Sequence, residues 1–181
     1  LFLLGRKKRG FGAGYYNGFG GKIEDGESFR ACAMREVFEE VSLLVKEEDL
    51  QAIAVLDFQF PYSPELSHIS YVYIVEQFQG IPLESEEMEP HWFTLENTPF
   101  DHMWAGDEEW IPRIWNGEKL KGVITFKEDN STIESIQFMT VEEVLESDDV
   151  DRVTAWIYPS VLLPSEGGAH REIISRGVRS L

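Results

Sequence analysis

Cysteine is almost absent. Cys32 stands alone, so no intrachain disulfide can form, and a reducing, cytoplasmic compartment is the simplest setting for the chain. Long apolar runs are absent too. None approaches the roughly 18 residues a membrane span needs, and no signal-peptide pattern opens the sequence, so no membrane partner is expected. Positive charge is scarce: 16 Lys and Arg face 33 Asp and Glu, a formal net charge of −17. Such a surface repels a nucleic-acid backbone, which argues against nucleic acid as a partner. Arg6, Lys7, Lys8 and Arg9 are the exception. This consecutive basic run is either a solvated cluster or an electropositive lip for a small phosphate-bearing ligand.

What is present suits one folded domain. The chain has 181 residues, 43% of them hydrophobic and 13% aromatic, enough to bury an ordinary core. Leu1 to Gly5 reads as the end of a strand. Because the chain starts abruptly in this apolar stretch, without methionine, a first strand is expected to be missing ahead of it. Six glycines lie between Gly10 and Gly21, interleaved with Phe11, Tyr15, Tyr16 and Phe19, a loop whose backbone must approach something closely. Ser28 can cap a helix running to Val41, with Ala33, Val37, Val41 and Leu44 as its apolar stripe. Strands are expected over 50–60, 68–78 and 91–95, a second helix over 106–115 despite Pro112, and a hairpin over 121–139 turned at 128–131. Trp92 and Trp110 read as core. After about Ser147 the pattern weakens, and 146–181 reads as an appended tail of uncertain order behind a domain spanning 1–145.

The first helix carries chemistry. Glu36, Glu39 and Glu40 fall at i, i+3 and i+4, so their carboxylates share a face. Like charges at that spacing cost an isolated helix about 0.2–0.5 kcal/mol per pair. Three glutamates alone are often only a solvated surface. Here the apolar stripe runs beside them and the glycine loop lies just upstream, which points to a cation. Hard carboxylate oxygens suit Mg²⁺, with Mn²⁺ as the other possibility.

From Gly21 to Leu43 the sequence resembles the signature of the Nudix hydrolase family, G-x5-E-x7-R-E-U-x-E-E-x-G-U. Gly21, Glu27, Arg35, Glu36, Val37, Glu39, Glu40 and Leu43 fall in register, and Ser42 replaces the usual glycine. The run from Lys7 to Gly14, the run from Asn17 to Lys22, Glu84 to Met88, Trp92-Phe93 and Met103-Trp104 further resemble the oxidised-purine triphosphatase branch. The resemblance implies an α/β/α sandwich around a mixed sheet, a monomer, and Mg²⁺-dependent hydrolysis of 8-oxo-dGTP-like nucleotides to the monophosphate and pyrophosphate. It places Glu36, Glu39, Glu40 and Glu87 in the catalytic role, holding the metal with the Gly20 carbonyl. Arg35 and Glu27 would brace loop against helix.

The resemblance also implies a substrate site. Lys7 and Lys22 would meet phosphate or sugar, in the glycine loop that contains Phe19, Gly20 and Gly21. Phe11, Asn17, Phe58, Trp104 and Asp107 would hold the base, although Phe11 and Phe58 equally suit an ordinary core. The related enzymes carry two adjacent aspartates after this tryptophan, where this chain has Gly106-Asp107. The implied consequence is a narrower preference, for 8-oxo-dGTP over 2-hydroxy-dATP. The signature fixes diphosphate chemistry but not the base. Two readings therefore stay open: a Nudix pyrophosphatase for ADP-ribose or an unoxidised nucleotide, and a non-catalytic nucleotide-binding fragment.

Overall fold

The computed structural model describes residues 1–158, with the backbone of 172–176 and 178–179. Its strands are β1 (Phe2–Lys7), β2 (Tyr16–Asn17), β3 (Leu50–Gln59), β4 (His68–Val75), β5 (Met88–Phe93), β6 (Lys119–Phe126), β7 (Ile133–Val141), β8 (Glu172–Arg176) and β9 (Val178–Arg179). The α-helices are α1 (Phe29–Val41), α2 (Asp107–Trp115) and α3 (Val150–Ile157). One sheet is antiparallel, ordered β2-β1-β5, with β9 also on β1. The other, β7-β6-β3-β4-β8, is mixed: β3 runs parallel to β6 and β4 to β8. The expected α/β architecture with a mixed sheet is therefore the one observed.

Alternation along the strands sends side chains into two apolar layers. On one face Val55, Ile69, Tyr71, Tyr73 and Val75 pack with Phe29, Ala33, Val37 and Val41 of α1. On the other, Ala54, Leu56 and Phe58 meet Trp110 and Ile111 of α2 and Leu120, Ile124 and Phe126 of β6. A register shift between Ala52 and Ala54 lets Ile53 and Ala54 join the same layer. Helices on both faces make the sandwich.

Two expectations need amendment. Trp110 is core, but Trp92 is 39% exposed, stacked on Phe78 at 6.4 Å. At the start of the chain, Phe2 and Leu3 pair with Arg179 and Val178 of β9. The segment read as the start of a tail is built into the core at α3, where Val153 and Ile157 are buried against the α1 layer. The rest of the segment read as a tail, 159–171, 177 and 180–181, lies outside the described residues. No described helix is long and apolar enough to cross a membrane.

Candidate functional site

α1 starts where Ser28 Oγ accepts from Ala31 N at 3.2 Å, and its interior has neither glycine nor proline to break it. It ends at Ser42, whose φ of 61° is left-handed. This explains why glycine is usual there: a side chain in that conformation costs roughly 1 kcal/mol.

The signature's fixed positions explain one another. Gly21 has no room for a side chain, because the Glu36 carboxylate occupies the place a Cβ would take. Arg35 Nε and Nη2 grip both oxygens of Glu27 at 2.9 Å, and Nη1 reaches Glu36 at 2.8 Å and Glu39 at 3.3 Å. Nη2 also donates to the Lys22 carbonyl at 3.1 Å, so the expected brace between loop and helix is present. That arrangement holds Glu27 below the usual carboxylate range and raises Arg35.

Glu40 is the outlier. Only 5% exposed, it accepts one hydrogen bond from Gly20 N at 3.0 Å. Burial pushes its carboxyl up to about 8; Gly20 N–H and Lys7 oppose the rise, and the Glu36 and Glu87 charges add to it. Burial likewise raises Glu36, against the pull of Arg35. Hard oxygen donors in like-charged company, with Glu40 nearly unsolvated, form a donor set that a divalent cation would relieve. The side chains are not closed into a cage: among the described residues no three His, Cys, Asp or Glu groups are gathered to hold an ion. Glu36 and Glu39 lean on Arg35, and Glu87 is 2.6 Å from Arg9.

Beside these carboxylates opens a cavity of about 570 Å³. It brings together most residues named from the sequence: Lys7, Gly20, Gly21, Lys22 and Glu87 toward the glycine loop and the acidic 84–87 loop, with Phe11, Asn17, Phe58 and Trp104 as base-sized walls. Trp104 stacks on Phe11 at 5.0 Å and meets the edge of Tyr15 at 5.2 Å. Its ring lies 2.8 Å from where a Gly12 Cβ would stand, and Gly12 has φ +80°, so this loop position accepts only glycine. Asn17 is 7% exposed, and its Oδ1 is buried with no hydrogen-bond partner.

Two residues go elsewhere. Phe19, 1% exposed, packs among the core residues and does not line this cavity; placed between glycines, it read as a loop aromatic, but its side chain turns inward against Gly5 and Met88. Asp107, 3% exposed, accepts from Trp110 Nε1 at 3.0 Å and lines a separate, mostly apolar crevice of about 70 Å³. The two cavities share Asn17 and Gly18. Gly106 has φ +94°, and a Cβ there would meet the Ile133 and Ile136 methyls at 3.1 and 3.3 Å.

Sequence reasoning missed the wall formed by Phe60, Ser67, His68 and Phe126, while Arg9, named only as part of the basic run, joins Lys7 at the cavity. His68 lies cross-strand from Phe58 and stacks on it at 5.1 Å, with Nδ1 2.7 Å from the Leu66 carbonyl oxygen. A hairpin register drawn from the aromatics at 58 and 60 would have found it.

The sequence model of the NUDIX domain matches residues 1–114. The chain belongs to the Nudix family. Members of this family act on small nucleotides and use divalent metal ions. The oxidized purine nucleoside triphosphate hydrolase of Mus musculus is 41% identical over 140 residues, 77% of this chain and 87% of that protein. Its namesake from Danio rerio is 39% identical over 132 residues, 73% of this chain and 83% of that protein. The crystal structure of the mutator MutT protein from Bacillus halodurans shares the fold, with a TM-score of 0.62 at 21% identity over 75% of this chain and 88% of that one.

Proposed function

We propose that this Nudix chain hydrolyses oxidised purine nucleoside triphosphates of the 8-oxo-dGTP type to the monophosphate and pyrophosphate, and so clears the nucleotide pool. The observation that carries this reading is the single cavity joining aromatic walls and the buried, unpartnered Asn17 Oδ1 to Lys7, Lys22 and the Gly20-Gly21 backbone, beside Glu40. Two relatives named for this substrate class, matched over most of their length, support it.

Each residue's contribution follows from its place. Trp104 and Phe11 offer faces for stacking, and a base N–H meeting Asn17 Oδ1 would relieve a buried acceptor that otherwise costs about 1–3 kcal/mol. Lys7 and Lys22 supply positive charge to phosphate. Glu36, Glu39, Glu40 and the Gly20 carbonyl would hold Mg²⁺, with Glu87 completing the set. Glu39, whose side chain is 57% exposed, turns from Arg35 most readily. Bound there, the cation supplies charge neutralisation on the phosphates and activation of an attacking water. Arg35 keeps the loop and helix at a fixed spacing through Glu27 and Lys22.

The test is pyrophosphate release from a nucleotide panel with and without Mg²⁺. 8-Oxo-dGTP is expected to lead, with unoxidised dGTP and ADP-ribose well behind; equal turnover of these would remove the base assignment. Asp107 faces the neighbouring crevice and is already engaged by Trp110. An adenine-type edge left short of a partner costs about 1–3 kcal/mol, so kcat/KM for 2-hydroxy-dATP is expected to fall about 10- to 100-fold below that for 8-oxo-dGTP.

A further inference from the structure

The 9–87 ion pair lies at the cavity. Arg9 Nη2 sits 2.6 Å from Glu87 Oε1, with Glu86 at 3.6 Å from Nη1, and both Arg9 and Glu87 line the cavity. Their side chains are 58% and 45% exposed, so the pair is worth little to the fold. The loops that carry them are joined without it. Lys8 N donates to the Glu87 carbonyl at 2.7 Å, and Lys8 Nζ reaches Glu84 at 2.6 Å and the Ser85 carbonyl at 2.8 Å. Within the basic run the tyrosine side of the glycine loop is closed by Lys7 N to Tyr15 O and Gly14 N to Lys7 O. The Arg9 side chain can therefore leave Glu87 while both backbones stay in place.

Resting on the triphosphate reading above, we infer that Arg9 is a phosphate-binding residue held in reserve by Glu87: an entering triphosphate takes the guanidinium from Glu87, and Glu87 is released to the carboxylate cluster. A highly charged anion has few cations to meet on a chain of net charge −17, and the cavity's lining offers only Lys7, Arg9 and Lys22 among the described residues. A guanidinium fork binds phosphate in bidentate fashion, whereas a carboxylate at the surface holds it only weakly. Glu87 is already close enough for its charge to act on Glu40. Once released, it joins the negative group that attracts a cation, so anion and cation binding become mutually supportive.

Calorimetric titration with inorganic tripolyphosphate in EDTA tests the exchange, and because this probe carries no base, the result does not depend on which base the cavity selects. Arg9→Ala is expected to weaken binding about 10-fold and Arg9→Lys by less. Glu87→Gln is expected to tighten it several-fold, and that gain should vanish in the Arg9→Ala background, which separates partner exchange from simple loss of negative charge. Magnesium ion titrated alone should bind Arg9→Ala more tightly than the unaltered chain, the opposite sign to the anion. A gain from Glu87→Gln that persists without Arg9, or losses of both ligands together with a lowered melting temperature, would make the pair a structural brace and overturn the exchange.

Discussion

Burial pushes the Glu40 carboxyl up to about 8 in the folded state, against an ordinary value of 4.5. In the metal-free protein its contribution to stability is therefore fully present below about 4.5 and is lost as pH rises through 8. In EDTA, Glu40→Gln should melt close to the parent at pH 5 and above it at pH 9; a constant difference across that range would remove Glu40 as the titrating group. With Mg²⁺, the same variant should lose at least about 100-fold in turnover, the scale on which a pre-organised charge acts. Glu47→Gln, outside the signature, serves as the control. Ser42 poses a different residue-scale question. Its left-handed φ of 61° is relieved by glycine, so Ser42→Gly should add about 0.5–1 kcal/mol in denaturant titration, while Ser42→Ala, which keeps the Cβ, should add nothing.

Among the elements, α1 was the most legible in the sequence and α3 the least. The spacing of Glu36, Glu39 and Glu40, the Ser28 cap and the fixed Gly21 and Arg35 all follow from local rules of helix geometry and charge. α3 has eight residues between polar stretches and gains its meaning only from distant partners. Next to it, Tyr158 donates to Asp57 Oδ2 at 2.6 Å, and Gln59 Nε2 contacts both Asp57 and the tyrosine hydroxyl, at 3.2 and 2.7 Å. Lys121 Nζ donates to the Trp156 carbonyl at 2.7 Å. No short-range pattern announces such a network. The same limit explains Phe19, expected in the glycine loop of the substrate site, and Asp107, which the resemblance put in the base pocket: packing turns both elsewhere. Because Asp57 and Phe58 point to opposite faces of β3, this network lies on the sheet face away from the cavity. Tyr158→Phe should cost about 1–3 kcal/mol by denaturant titration, since the fully buried Asp57 loses a donor, yet kcat/KM should stay within about twofold. A large loss of turnover at unchanged stability would mean that α3 acts on the site and not only on the fold.

For the molecule as a whole, the −17 charge and the site's chemistry make linked demands. An excess of one sign opposes compaction by self-repulsion, and simple salt screens that repulsion without choosing a place to act. A divalent cation would do both: it screens generally, and the place proposed for it is where Glu40 is buried beside Glu36 and Glu87. Binding only the folded state stabilises it by RT ln(1 + [L]/Kd), about 2.7 kcal/mol at a hundredfold excess over Kd. The two effects separate by matching ionic strength. Moving from low salt to NaCl should raise the melting temperature of the parent and of Glu40→Gln alike. Replacing that NaCl with MgCl₂ of equal ionic strength should raise the parent further and leave Glu40→Gln nearly where it was. For a chain of this length, about 1 kcal/mol corresponds to roughly 2–4 °C, so the specific part is measurable by differential scanning calorimetry. An identical magnesium response in both proteins would assign the whole effect to screening and would leave the carboxylate face of α1 without a resident cation.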